Sequence, residues 1–167
     1  VWVKNRTSAT DNFVLDSVRA GTYNLLTNST SQEYAASAFS GGAIDSVAST
    51  GFVVVKGSST ANNVNATSNN YVAWQWQAGQ GSTSSNTSGS ITSTVSVNAT
   101  AGFSVVTYTG NGTAGATIGH SLGVKPSMMI AKNRSTGGSA SYEWTVYHTV
   151  LGATKAVFLN DTGAAAT

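Results

Sequence analysis

Apolar and polar residues alternate in short runs along the chain, and the apolar members are mostly β-branched or aromatic. Period-two alternation of this kind predicts half-buried strands. It marks Trp2 to Asn5, Phe52 to Val55, Tyr71 to Trp76, Ile91 to Val97, Phe103 to Thr109, Met128 to Asn133, Trp144 to His148 and Lys155 to Leu159. Turn-forming clusters separate them, such as Gly110-Asn111-Gly112 and Thr136-Gly137-Gly138. A helical period is sustained nowhere. Ser31 to Ser40 is the one stretch that reads as a helix of one or two turns, with Ser31 as its cap and Ala35, Ala36 and Ala38 inside. Gly79 to Gly89 holds only Gly, Gln, Ser, Thr and Asn and reads as a linker or long loop.

One stretch occurs twice. Val3-Lys4-Asn5-Arg6-Thr7-Ser8 returns as Ala131-Lys132-Asn133-Arg134-Ser135-Thr136, with Lys4 and Lys132 128 positions apart. The match extends through Phe13-Val14-Leu15 against Trp144-Thr145-Val146 and Gly21-Thr22-Tyr23-Asn24 against Gly152-Ala153-Thr154-Lys155. Its last block sets Thr27-Asn28-Ser29-Thr30 against Leu159-Asn160-Asp161-Thr162. A weaker echo sets Ser49-Thr50-Gly51-Phe52 against Thr100-Ala101-Gly102-Phe103. The long repeat divides the chain into residues 1–80, the later part of one unit; 81–101, a Ser/Thr/Gly-rich linker or long loop and a strand; and 102–167, the earlier part of the next unit. On this reading the chain is an all-β, non-enzymatic module cut from a longer protein.

Composition narrows the functions open to such a module. Only 8% of the 167 residues are charged, against roughly 25% in ordinary globular proteins, so uncharged polar groups carry solubility. The net charge of +2 is spread over scattered residues and offers no basic patch for nucleic acid. With no cysteine, a disulfide framework and a thiolate metal site are both excluded. No apolar run approaches the roughly 18 residues of a membrane span.

The side chains available for catalysis are few. A glycosidase needs two carboxyl groups across a sugar bond, and Asp11, Asp16, Glu33, Asp45, Glu143 and Asp161 form no strand-spaced pair. Serines abound without a G-x-S-x-G elbow. His120 and His148 are too few for a zinc site and are expected to hydrogen-bond neighbouring loop backbone. Asp45 and Asp161 are too isolated to build a calcium site. No enzymatic activity and no cofactor are expected.

Aromatic residues offer a sharper choice. Trp74 and Trp76 lie on one side of a strand and Tyr71 on the other. Val72, Trp74 and Trp76 together make an apolar face, which favours a place in a sandwich core; Trp74, Trp76 and Tyr71 are also the candidates for stacking on sugar rings. The Asn-x-Ser/Thr triplets at Asn5, Asn28, Asn65, Asn86, Asn98, Asn111, Asn133 and Asn160 are read as turn formers at strand ends rather than glycan acceptors.

Phe103 to Tyr108 followed by Gly110-Asn111-Gly112, then His120-Ser121-Leu122-Gly123-Val124-Lys125-Pro126, then the strand ending Lys132-Asn133-Arg134, resembles a repeated domain of bacteriophage structural proteins. Trp144 to His148, Lys155 to Asn160 and Tyr71 to Trp74 resemble that domain's later blocks. The resemblance implies a laminin-G-like or concanavalin-like antiparallel β-sandwich of the jelly-roll type, in a tail fibre, other virion appendage or surface decoration. It implies other copies of itself or other virion proteins as partners, in a homo-oligomer or larger assembly on the virion surface, outside the cell. It supplies no catalytic residue set. Two alternatives remain beside it: a lectin-like module that attaches to host glycans, and a self-assembling extracellular filament subunit whose ends complete a neighbour's sheet.

Overall fold

A computed structural model describes residues 1–19, 22–59, 63–138 and 142–167. The described chain is all β and antiparallel, as the alternation predicts, apart from one short 3-10 turn and one parallel bridge. It forms two compact units. The larger takes the described residues within Val1–Leu15, Gly21–Trp74 and Ser127–Thr167, the smaller those within Asp16–Ala20 and Gln75–Pro126.

In the larger unit, β1 (Trp2–Asn5), β2 (Phe13–Val14), β3 (Tyr23–Leu26) and β4 (Tyr34–Ala35) form a meander, and β7 (Tyr71–Trp74) joins β1 on its far side to give the order β4-β3-β2-β1-β7. β5 (Gly42–Ala48) and β6 (Gly51–Lys56) make a hairpin against the face of this sheet. Val3, Phe13, Leu15 and Leu26 from the meander meet Ala43 and Ile44 from the hairpin and Val64 in one apolar core, with Phe39 edge-on to Phe13 at 5.0 Å. Two sheet faces closing over alternating side chains are the packing that period-two sequences call for. Gly42 is required at the start of β5: its φ is +82°, and a Cβ there would fall on the backbone of Val55.

The helix read over Ser31 to Ser40 is not formed. Tyr34 and Ala35 pair with β3 instead, and only Ala36–Ala38 turn, as a single 3-10 turn without a side-chain cap. Ser31 is tied to Ser29, its hydroxyl 2.8 Å away. Pairing to an existing edge satisfies more backbone than one isolated helical turn, whose nucleation is unfavourable.

The rest of the larger unit is a second meander, β11 (Met128–Ala131), β12 (Thr145–His148) and β13 (Val157–Phe158). It reproduces the first pair by pair. Trp2 opposes Val14 and Val3 opposes Phe13, as Ile130 opposes Val146 and Ala131 opposes Thr145. Phe13 opposes Leu26 and Val14 opposes Leu25, as Thr145 opposes Phe158 and Val146 opposes Val157. Asn24 opposes Tyr34, as Ala156 bridges Ala166. The offset is 128 at β1 and 132 from β2 onward, because Asn133 to Thr145 is 12 positions where Asn5 to Phe13 is 8. This corrects the middle of the sequence alignment by one residue: the counterpart of Phe13 is Thr145 rather than Trp144, and that of Tyr23 is Lys155 rather than Thr154. A slip of one exchanges the two faces of a strand, so the correction changes which side chains are equivalent.

The smaller unit is built on β8 (Ser84–Asn86), β9 (Ser93–Asn98) and β10 (Phe103–Tyr108), in the order β10-β9-β8. β8 lies inside the stretch expected to be a linker or long loop. Its side chains are polar, but its backbone pairs with β9 and Asn86 is buried, donating through Nδ2 to Ser121 Oγ at 2.7 Å. Backbone pairing and side-chain hydrogen bonds replace the missing apolar anchor. The interior is correspondingly polar: Ser93 and Ser96 are buried beside Val95, the first donating to Gly119 O and the second accepting from Gly79 N. The weaker echo corresponds to two hairpins, β5-β6 and β9-β10, in which the Gly-Phe step opens the second strand.

Candidate functional site

In the larger unit the two meanders dock on each other. Trp144, just ahead of β12, is buried and its indole Nε1 donates to Leu26 O at 2.9 Å and Ser29 O at 3.2 Å. Arg134 Nη1 lies 2.8 Å from Glu33 Oε1, and Arg134 O accepts the Glu33 amide. Lys132 Nζ donates to Thr30 O at 3.1 Å and Asn133 O at 2.7 Å, and partial burial of the ammonium lowers its pKa below the ordinary 10.5. The repeated Lys-Asn-Arg step of the second copy thus grips Thr30 and Glu33 of the first, and Trp144 grips Leu26 and Ser29.

Asparagine side chains shape both copies in the same way. Asn5 Oδ1 accepts the amides of Thr7 and Ser8, and Asn133 Oδ1 those of Ser135 and Thr136. Asn28 Oδ1 accepts the Asn12 amide at 2.9 Å, and Asn160 Oδ1 the Trp144 amide at 2.8 Å. The turn-forming role read from the triplets extends to Asn86, Asn98 and Asn111, which accept from Ser88, Ala101 and Thr113. His120 and His148 act as expected, each accepting through Nδ1 the amide two residues on, Leu122 and Val150.

The aromatic candidates are separated in role. Trp74 ends β7 and is 45% exposed; its ring lies 5.6 Å from Trp2, tilted by 55°. Tyr71 is partly buried, and its hydroxyl accepts from the Ala66 amide at 2.9 Å and from Asn5 Nδ2 at 3.3 Å. In the smaller unit Trp76 is 50% exposed and stacks on Phe103 at 6.0 Å. The favoured core placement of the two tryptophans is therefore corrected. β7 ends at Trp74, two residues short of the expected strand, and the core is closed by Phe13, Leu15 and Ile44 instead. Each tryptophan keeps open ring surface, while Tyr71 is committed to the fold.

An open groove in the larger unit is lined by Lys4, Thr10, Asp11, Asn12, Asn28 and Asn63. Its polar groups bond one another, with Asn28 Nδ2 donating to Asp11 Oδ1 at 3.0 Å. Among the described residues no three His, Cys, Asp or Glu side chains come together as metal ligands. Asp45 occupies the bulge of β5 between Ile44 and Ser46, and Asp161 Oδ1 accepts the amide of Thr162. The sequence did not reveal Trp144 as the anchor between copies; its indole hydrogen bonds span more than a hundred positions.

No curated protein and no solved structure matches the chain. A family described as a domain of unknown function (DUF7483) matches residues 1–167, the whole of it, and the chain belongs to that family.

Proposed function

We propose that the chain is a non-catalytic structural module of a bacteriophage virion appendage, a tail fibre or a surface decoration, folded as a sandwich of the jelly-roll type. The observation that carries this reading is the duplicated meander, repeated strand by strand in one register and docked copy on copy through Trp144, Arg134 and Lys132. A unit that packs against its own repeat suits an elongated assembly, because each copy stabilises its neighbour. The virion context comes from the resemblance of the Gly110-Asn111-Gly112, His120 to Pro126 and Lys-Asn-Arg blocks to the phage repeat. The mechanism is associative: antiparallel sheets resist unfolding, and uncharged polar faces bond to neighbouring virion proteins. An antiserum raised against the 167-residue chain tests it by immunogold electron microscopy of particles purified from the virus that encodes it. Gold on fibres or on the particle surface is the expected result; labelling confined to the lysate supernatant counts against it.

Attachment to host glycans is a second reading, favoured by the exposure of Trp74 and Trp76. Half-exposed indoles offer the apolar face that stacks on sugar rings. A glycan array probed with the chain and with Trp74→Ala and Trp76→Ala tests it: saturable binding lost in either variant supports attachment, and an empty array removes it.

A further inference from the structure

The two meanders share a hydrogen-bond skeleton but not a set of neighbours. β1 lies between β2 and β7, whereas β11 pairs with β12 alone among the described strands. Exposure differs as well, since the β5-β6 hairpin covers Val3 and Tyr71 of β7 bonds Asn5. Val3 and Asn5 are 3% and 2% exposed, and their counterparts Ala131 and Asn133 are open to solvent. Met128 and Ile130 are 50% and 44% exposed. Natural sheets guard free edges with charge, proline or a bulge, and Met128-Met129-Ile130-Ala131 carries none of these.

The first copy displays the strand that such an edge accepts. β7 runs antiparallel to β1, with Trp74 opposite Trp2, Ala73 opposite Val3, Val72 opposite Lys4 and Tyr71 opposite Asn5. The Arg6 amide extends the ladder to Asn70 O at 2.8 Å. Shifted by 128 positions, these partners become Ile130, Ala131, Lys132 and Asn133. Asn133 already holds the same turn as Asn5, so the edge is shaped for its partner before that partner arrives.

We propose that β11 is a receptor edge for an added β-strand of the β7 pattern, Tyr-x-Ala-Trp, supplied by a further copy of the repeat unit. The proposal rests on the repeat-module reading above, but it would survive a different location of the protein, since it concerns the edge alone. Strand addition of this kind draws affinity from main-chain hydrogen bonds and specificity from alternate side chains. The indole goes over Ile130, the small alanine against Ala131, and the tyrosine hydroxyl within reach of Asn133 Nδ2.

The test uses the intact chain and a fluorescent peptide of residues 69–77. Fluorescence anisotropy is expected to show saturable binding, absent with a scrambled peptide and weakened at least tenfold by Ile130→Lys, whose fold is checked by circular dichroism. Register is read by disulfide formation, which is unambiguous in a chain without cysteine. Ala131→Cys should cross-link to a peptide carrying Ala73→Cys, and Met129→Cys should not. Absence of saturable binding, equal cross-linking at Met129 and Ala131, or Ala131→Cys chains that cross-link to one another in preference to the peptide would each overturn the proposal. Virion labelling reads a different property, so failure of one is distinguishable from failure of the other.

Discussion

At the scale of single residues, asparagine does the shaping that charge does in most proteins. Its short amide accepts backbone N–H groups two or three positions on, which closes a turn without a helix or a partner strand. This was legible in the sequence because the geometry is local: Asn5, Asn133, Asn86, Asn98 and Asn111 all bond within three residues. What the sequence did not distinguish is how far each is buried. Asn5→Ala strips two amides of their acceptor at a buried site and is expected to destabilise the fold by about 1–3 kcal/mol. Asn133→Ala removes the same bonds where water replaces them, with an expected cost of about 0.5 kcal/mol or less. Paired urea titrations check the contrast, and equal losses would mean that the two turns are not energetically distinct.

At the scale of elements, strands that alternate cleanly were readable, and those with polar or irregular interiors were not. In β5 the bulge at Asp45 breaks the period between Ile44 and Ser46, which hides the strand from its alternation. In β3 Asn24 is fully buried, donating to Thr22 O and Ile44 O, and a polar residue at an inward position hides that strand too. The repeat was visible, but its register was not, since the longer connection before β12 shifts every later pair. The contacts between the copies carry two predictions. Trp144→Phe keeps the ring and loses the indole N–H shared by Leu26 O and Ser29 O; thermal unfolding should report a loss of about 1–3 kcal/mol. Lys132 has a folded-state pKa below its unfolded value, so its burial penalty is complete below the folded pKa and vanishes as pH rises to about 10.5. The stability of the native chain relative to Lys132→Gln should therefore rise with pH across that alkaline window, as chemical denaturation at a series of pH values would read.

At the scale of the whole molecule, the low charge content makes backbone pairing and apolar burial the main supports, and the partly exposed ion pair Arg134–Glu33 a minor one. Raising NaCl from about 0.05 M to about 0.5 M should change unfolding free energy by less than about 1 kcal/mol, because screening has little to act on. The contrast between the repeats therefore lies in their amides. β1 is paired with β7 along its whole length and with β2 at Trp2 and Val3, whereas β11 amides that point away from β12 meet solvent. Native-state hydrogen exchange reports local opening residue by residue. Protection should run through Trp2, Val3 and Lys4, while in Met128–Ala131 it should alternate, with protected amides facing β12 and fast ones facing outward. Uniform protection along β11 would mean that its outer edge is already paired in solution, and uniform exchange that β11 is not held by β12 at all.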